Sequence, residues 1–222
     1  MKYDPKRKVR VLLSGGPTRA YLDDVRFLSN YSSGRLAYEI IRALGRGNAE
    51  VAAVLGPTCL DFSKVKLRKL RNVETMEEMR KEMLSCCRTF RPDVVVFAAA
   101  VLDFQPVKRK GKVSSRGSWT LKLHPTPKIV DEVARRFPRI ERIGFKLEWE
   151  RKSLAQARRL GEKLMKQKKY KGLCLNYLSD IRSEKHSALL FSSEKMKSVD
   201  TKRAIAHWVS LICHGCRRGS PQ

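Results

Sequence analysis

The run from Val9 to Tyr38, VRVLLSGGPTRAYLDDVRFLSNYSSGRLAY, constrains the fold more than any other part of the chain. Apolar Val9–Leu13 reads as a buried strand that stops at a Ser14-Gly15-Gly16-Pro17 turn. The next helix, marked by Leu36, Ile40, Ile41 and Leu44, starts only after the Ser32/Ser33 cap. A strand-to-helix connection in an α/β unit normally takes about 2–6 residues, and this one takes roughly twenty. A connection of that length is either disordered or a binding loop. Leu22, Val25, Phe27, Leu28 and Tyr31 argue for order, because a solvated loop has little need of apolar anchors. The expectation is an ordered ligand-binding loop at the C-terminal edge of a parallel sheet.

The rest of the pattern supports such a sheet. Val51–Leu55 reads as a second strand stopped by Gly56-Pro57, and Val65–Leu70 as a third. Met76, Met79, Met83 and Leu84 mark a helix that Glu74/Thr75 begins. The continuous apolar run Asp93–Ala100 fits a central parallel strand covered on both faces. The order β-α-β-β-α-β points to a doubly wound, Rossmann-like α/β domain. Further on, Pro106–Arg116 is a basic stretch, and Ser118–Leu123 alternates as a strand, with two short strands expected around Ser114–Gly117. These suggest a hairpin or flap over roughly residues 104–126. A helix over Pro127–Phe137, a strand over Ile140–Phe145 and a basic helix over Ser153–Lys169 follow. Strands at Gly172–Leu175 and Ala188–Phe191 and a helix at Thr201–Cys213 complete the expected domain, residues 1–216, with 217–222 a loose tail.

Charge is the unusual part of the composition. Lys and Arg number 48 against 22 Asp and Glu, a formal net charge of +26. Such an excess attracts phosphates, whether of a small substrate or of nucleic acid. It is spread along the chain rather than gathered in one tail or face, so most of it reads as solvated surface. Nucleic acid is an unlikely partner, because no aromatic stacking platform or recognised nucleic-acid motif accompanies the charge. The polar, basic start carries no secretory pattern and no run suits a membrane span. The six cysteines lack a disulfide-framework spacing, which implies reduced thiols and a cytoplasmic setting. Cys213-His214-Gly215-Cys216 is a lone CxxC without a second ligand pair, so no metal site is expected.

Three segments converge on the C-terminal edge of the expected sheet: Ser14–Gly34, Ala98–Gln105 and Asn176–Asp180. No GxGxxG or GxxxxGK motif is present. Ser32-Ser33-Gly34 stands at a helix N-terminus, whose free amides suit a phosphate. Asp103 follows small residues that would let a base or ribose lie against the backbone; a plain cap or turn aspartate is the equal alternative. Lys112, in the flap, could reach over a bound anion, although taken singly it reads as one more surface lysine in a chain full of them. No Ser-His-Asp or Cys-His arrangement falls in these segments, which disfavours nucleophilic hydrolysis. A site of amides, Asn and Lys suits phosphoryl or nucleotidyl transfer.

On these runs the chain resembles the phosphopantothenate–cysteine ligase family of coenzyme A biosynthesis. The matching segments are SGGPTRAYLDDVRFLSNYSSG (14–34), GP (56–57), TMEEM (75–79), DVVVFAAAVLDF (93–104), KVSS (112–115), TPKIV (126–130), IGFKLE (143–148) and LNYLSD (175–180). The resemblance covers the ligase part and not the flavin-dependent decarboxylase domain of bacterial fusions. It implies a Rossmann-like α/β domain with a small flap or dimerisation subdomain, and a homodimer that joins 4′-phosphopantothenate to cysteine through an acyl-nucleotidylate, with CTP or ATP as co-substrate and Mg2+ bridging the phosphates. It assigns Asn30 and Lys112 to catalysis. Phe97, Ala98, Ala99, Asp103, Pro127, Lys128, Ile129, Val130, Phe145, Lys163 and Lys168, with Lys112, fall to the nucleotide. Gly15, Gly16, Ser32, Ser33, Gly34 and Arg35, with Asn30, fall to phosphopantothenate. The chain departs from the family pattern at Ala37, where a glycine is usual, at Pro125 for a lysine and at Tyr177 for an aspartate. Two rival readings remain: a basic nucleic-acid-binding α/β protein, and a relative that binds nucleotide without chemistry.

Overall fold

Along β1 (Arg10–Gly15) successive side chains alternate between two apolar layers, and every residue from Val11 to Gly15 is buried. Val11 and Leu13 join one layer and Leu12 the other. A strand buried on both faces must lie inside a sheet sandwiched by helices, which is the arrangement found. The computed structural model describes residues 7–181, 186–193 and 195–216.

After β1 the chain runs through β2 (Arg19–Tyr21), β3 (Phe27–Ser29), α1 (Arg35–Arg46), β4 (Glu50–Leu55), a 3-10 turn at Phe62–Lys64, β5 (Lys69–Asn72) and α2 (Met76–Thr89). Then come β6 (Val94–Phe97), β7 (Phe104–Pro106), β8 (Leu123–Pro125), α3 (Ile129–Arg136), β9 (Glu141–Glu148) and α4 (Leu154–Lys168). The last elements are β10 (Gly172–Tyr177), α5 (Leu178–Ile181), β11 (Ala188–Ser192), β12 (Met196–Val199) and α6 (Lys202–Gly215). Eight strands form one sheet in the order β12-β11-β10-β9-β6-β1-β4-β5. The six from β5 to β10 are parallel, and β11 and β12 continue antiparallel. This is a Rossmann-like order whose direction reverses between β1 and β6. Helices α1 and α6 cover one face, and α2 and α3 the other. Helix α4 packs over β10 and β11, where Gly161 lies against the Phe191 ring. Capping boxes begin α2 (Thr75 with Glu78) and α4 (Ser153 with Gln156), and Thr201 caps α6.

The long connection after β1 is ordered, though for a different reason than its apolar content. Leu22 is buried, but Val25, Phe27 and Tyr31 are 60%, 43% and 84% exposed. Order comes from the backbone. Past β1 the chain stays hydrogen-bonded on both sides: Gly56 donates to the Gly15 carbonyl (2.9 Å), Ala98 to Ser14 (3.1 Å), Ala100 to Gly16 (2.9 Å), and Arg19 to Glu74 (2.7 Å). The hairpin β2–β3 then turns the chain back toward α1.

Three expectations are corrected. The third strand begins at Lys69 rather than Val65, because Asp61 caps a 3-10 turn before it. Strand β6 ends at Phe97, beyond which the alanines pair with the β1 loop instead. No strand forms at 114–122; Leu123–Pro125 pairs with Phe104–Pro106. Thr126 sets that register, its N–H donating to the Asp103 carbonyl (2.9 Å) and its hydroxyl to that of Leu102 (2.7 Å). Strand β12 was not legible in the sequence. The tail at 217–222 lies outside the described residues.

The backbone crossing at Gly56 is the tightest point of the fold. A Cβ there would sit 1.6 Å from the Pro17 carbonyl oxygen, and one on Gly16, at φ +72°, would sit 2.9 Å from the Gly56 oxygen. Gly56→Ala is therefore expected to destabilise the protein by more than about 2 kcal/mol. Thermal unfolding read by circular dichroism checks this, and an unchanged melting temperature refutes it.

Candidate active site

Where strand order reverses, the connections from β1 and β6 part and leave a crevice beyond the strand ends, the usual ligand position in such sheets. Here it forms two hollows of about 590 Å³ and about 280 Å³. They share Tyr31, Ala99, Ala100, Phe145, Lys146 and Leu147, so they make one cleft with two lobes.

Phe97, Ala99, Ala100 and Val101, at and just past the end of β6, line the larger lobe together with Pro127, Lys128, Ile129 and Val130 at the start of α3. Asp103 is the only carboxylate among its lining residues, and it pairs with the Lys128 ammonium. Tyr170 closes the base; burial, with Asp131 nearby, pushes its phenol up to about 12, so it stays a hydroxyl.

Asn30 stands on this lobe's rim. Its Nδ2 donates to the Ala100 (3.3 Å) and Val101 (3.0 Å) carbonyls, tying the β1 connection to the loop after β6. Two carbonyls must face the amide nitrogen, which settles the amide's orientation.

The smaller lobe is polar at one end. Ser32, Ser33, Gly34 and Arg35 bring the N-terminus of α1 to it. Gly34 takes the N-cap position at φ +75° with no side-chain cap hydrogen bond, and the first turn holds no acidic residue. The helix therefore presents open N–H groups and the positive end of its dipole. Lys202, at the start of α6, faces the same space. Its desolvation, followed by repulsion from Arg35, pulls its pKa below the usual lysine value. Asn176 and His186 complete the wall.

Of the residues expected at a site, Asn30, Ser32, Ser33, Gly34, Arg35, Phe97, Ala98, Ala99, Asp103, Pro127, Lys128, Ile129, Val130 and Phe145 line this cleft. Others do not. Gly15 and Gly16 serve backbone packing; a Cβ on Gly15 would meet the Ala37 methyl at 2.4 Å. Lys163 is exposed on α4. Lys168 lies behind α3, its Nζ bridging both Asp131 oxygens at 2.7 and 3.0 Å. Lys146, Tyr170, His186 and Lys202 were not anticipated. The signals available were weak: Lys146 lies inside the IGFKLE run (143–148), and the Thr201 cap ahead of Lys202 marks a helix start.

Residues 6–212 match the family described as DNA/pantothenate metabolism flavoprotein C-terminal domain. The chain belongs to that family. The coenzyme A biosynthesis bifunctional protein CoaBC of Thermococcus kodakarensis is 38% identical over 142 residues, 63% of this chain and 34% of that protein. The chain thus spans about a third of the length of the curated relatives it matches. The DNA/pantothenate metabolism flavoprotein of Streptococcus pneumoniae superposes with a TM-score of 0.77 at 24% identity, over 90% of this chain and 96% of that one. Cab2 carrying H337A, in complex with phosphopantothenate-cysteine, superposes with a TM-score of 0.69 at 16% identity, over 95% and 87%. These two likenesses establish the fold.

The flap of this family member is tied down by two acids of the β2–β3 turn. Asp23 is fully buried and accepts from the Val25 (2.8 Å), Arg26 (2.7 Å) and Val113 (3.1 Å) backbone N–H groups and from the Arg26 guanidinium (2.7 Å). Burial raises its pKa, but the backbone donors and Arg26 outweigh burial and hold it down to about 2. Asp24 accepts from Gly111 N (2.7 Å) and pairs with Lys108 (2.7 Å). Lys112 lies between these tethers, exposed, and does not line the lobe that holds Asn30. The expectation that Lys112 faces Asn30 across one cleft is thus corrected: the acids draw residues 111–113 to the turn instead.

Because Asp23's folded pKa is depressed, its contribution is complete above the unfolded value near 3.8 and is lost as pH falls through about 2. The tether is therefore pH-independent across the neutral range. Asp23→Asn is expected to speed limited proteolysis around Gly111–Gly117 at neutral pH at least severalfold, while the core melts as before. Unchanged cleavage would reject the tether.

Proposed function

We propose that this chain is a phosphopantothenate–cysteine ligase domain, forming 4′-phosphopantothenoylcysteine by way of an acyl-nucleotidylate. The observation that carries the reading is the two-lobed cleft at the switch point. One lobe suits a base and ribose, the other an anion, and Asn30 lines the larger one beside Tyr31, which both share. Family membership and the match to CoaBC support it. The six cysteines are free, which fits a cytoplasmic setting, and no helix among the described residues is long and apolar enough to cross a membrane.

In this reading the nucleotide, CTP or ATP, lies in the larger lobe with its sugar at Asp103 and its base between the β6 and α3 walls. The 4′-phosphopantothenate carboxylate attacks the α-phosphorus, and pyrophosphate leaves with the bridging electron pair. The amine of cysteine then attacks the acyl carbon, nucleoside monophosphate departs, and the amine gives up a proton. Asn30 supplies neutral N–H groups that pass from the Ala100 and Val101 carbonyls to an acyl or phosphate oxygen. One hydrogen bond replaces another there, so the exchange costs little. Among the described residues no three His, Cys, Asp or Glu side chains converge to hold a cation. Magnesium therefore fits as an ion carried by the nucleotide phosphates, where it would neutralise the departing pyrophosphate. Lys112 would join the phosphates only if the 107–122 strap moves over the cleft.

Pyrophosphate release is the direct assay, with 4′-phosphopantothenate, cysteine, magnesium and each of the four nucleoside triphosphates in turn. Release with CTP or ATP is expected, and none with any nucleotide rejects the ligase. Asn30→Asp turns an acceptor toward two carbonyls and toward the phosphates. It is expected to cut turnover at least a hundredfold with the fold intact. Lys112→Ala is expected to raise the nucleotide KM, and an unaltered variant removes Lys112 from the site.

A second copy of this chain is the partner proposed. Hairpins β2–β3 and β7–β8 lie side by side and leave Phe27, Phe104, Val107 and Leu123 exposed. An uncovered apolar set of this kind is typical of an interface. Sedimentation equilibrium is expected to report a dimer that Phe104→Asp dissociates; a wild-type monomer at micromolar concentration would reject it.

A further inference from the structure

Positive charge that is scattered along the sequence is partly gathered by the fold. Parallel topology brings the starts of six strands to one edge of the sheet, at the far end from the cleft. The backbone keeps those starts in step: Glu50 donates to the Val9 carbonyl (2.9 Å), Asp93 to that of Arg10 (2.8 Å), Glu141 to Asp93 (3.0 Å) and Lys171 to Arg142 (2.8 Å). Each of the six strands is preceded, within four residues, by an exposed cation. In sheet order from β10 to β5 these are Lys171, Arg139, Arg91, Lys8, Arg46 and Arg68, a row about 24 Å long at the usual strand spacing. The described residues of those lead-ins include ten Lys and Arg but one acid, whereas the whole chain has 48 against 22. That acid, Asp93, is buried and accepts from Arg7 (2.6 Å). None of the six cations has an ion pair among the described residues. The helix dipole accounts for Arg46, in the last turn of α1, but the other five lie outside the helices.

A hollow of about 350 Å³ sits within this row, between the ends of α2 and α3. Arg88, Arg91, Arg136 and Arg139 line it, with no carboxylate among its lining residues. Of the four, only Arg136 is ion-paired among the described residues, with Glu132 (2.6 Å). Arg91 takes φ +50° just past α2, in the left-handed region that favours glycine. An exposed arginine is thus held there at a conformational cost, with no ion pair inside the molecule to offset it.

We propose that this edge binds nucleic acid through its phosphodiester backbone, with the four-arginine hollow at the centre of the contact and no reading of the bases. The proposal stands apart from the ligase reading and leaves the cleft free. Arginine forks match phosphate oxygens two at a time, and a row of cations on a rigid edge suits a polymer of phosphates. The lack of an aromatic stacking platform excludes base recognition and not this mode, because backbone contacts position a strand without reading it. A lipid surface fits less well, since an interfacial segment needs apolar anchors beside its charge. The exposed large apolar side chains, Phe27, Phe104, Trp149 and Leu154 among them, all lie outside the strand lead-ins. An acidic protein partner fits less well for the same reason, as protein interfaces centre on large buried anchors.

The full chain is titrated into labelled mixed-sequence RNA and DNA, single- and double-stranded, over a range of salt, and binding is read by fluorescence anisotropy. Binding that weakens with salt and ignores base sequence is expected, and none at physiological ionic strength overturns the proposal. Arg91→Gln with Arg139→Gln is expected to weaken duplex binding about tenfold and to lower the slope of log K against log salt by about 0.9 for each arginine removed. Arg158→Gln with Arg159→Gln, on the exposed face of α4, removes the same charge and is expected to change binding far less. Equal losses in the two variants would mean that net charge alone attracts the polymer, and they overturn the assignment to this edge. Arg91→Gly separates binding from packing. Glycine suits the left-handed backbone, so the melting temperature is expected to rise while binding weakens. A lower melting temperature with unchanged binding gives Arg91 a structural role and overturns the proposal. Vesicles of phosphatidylserine and phosphatidylcholine are the last arm: if they bind more tightly than any nucleic acid, and the Arg91 and Arg139 variant releases them, the edge serves a membrane and the proposal falls.

Discussion

The backbone ladder that carries the chain past the end of β1 holds the rest of the molecule in place. Ser14, Gly15 and Gly16 accept from Ala98, Gly56 and Ala100, so the β1 connection is clasped between the loops that follow β4 and β6. Such contact between backbones requires glycine at the crossing, and Gly16 and Gly56 provide it. With that segment fixed, the following hairpin, the Asn30 bridge and the start of α1 take definite positions around the switch point. A long insertion between a strand and its helix becomes the wall of a binding cleft because its peptide groups are paired, not because its side chains are apolar.

The cleft divides its polar chemistry by environment. In the larger lobe Asp103 and Lys128 are exposed and paired with each other, a surface arrangement that a ligand rearranges at small cost. In the smaller lobe the groups are more deeply set. Lys202 is partly desolvated, His186 is buried and neutral, and the N-cap Gly34 of α1 supplies no side-chain acceptor to the helix start. Few charges and several prealigned donors are the conditions under which an anion is bound with direction as well as strength. The large positive charge of the chain is a different matter: it is spread along the sequence rather than gathered at the cleft.

Much of the architecture was legible because it follows from local rules. The continuous runs at 9–13, 51–55 and 93–100 each hold a buried parallel strand, the last ending early at Phe97, and the caps at Thr75, Ser153 and Thr201 begin helices within a residue or two of where those residue types require it. The flap was misread because its alternation at Ser118–Leu123 does not set its pairing; Thr126, three residues farther on, does. Lys112 was misread for a related reason. Its neighbours Gly111 and Val113 bond to acids roughly ninety positions earlier, a distance in sequence over which no periodicity speaks.

The sequence by itself determined the class of fold, the edge of the sheet where ligands meet the chain, and the family to which the long loop belongs. Periodicity, caps and turn residues act over a few positions and can be read without coordinates. Tertiary structure alone decided that Asn30 ties two loops together, that Lys112 stands outside the cleft, and that His186 and Lys202 stand inside it. Each of those depends on which backbone atoms approach from distant segments, and on how much water that approach removes.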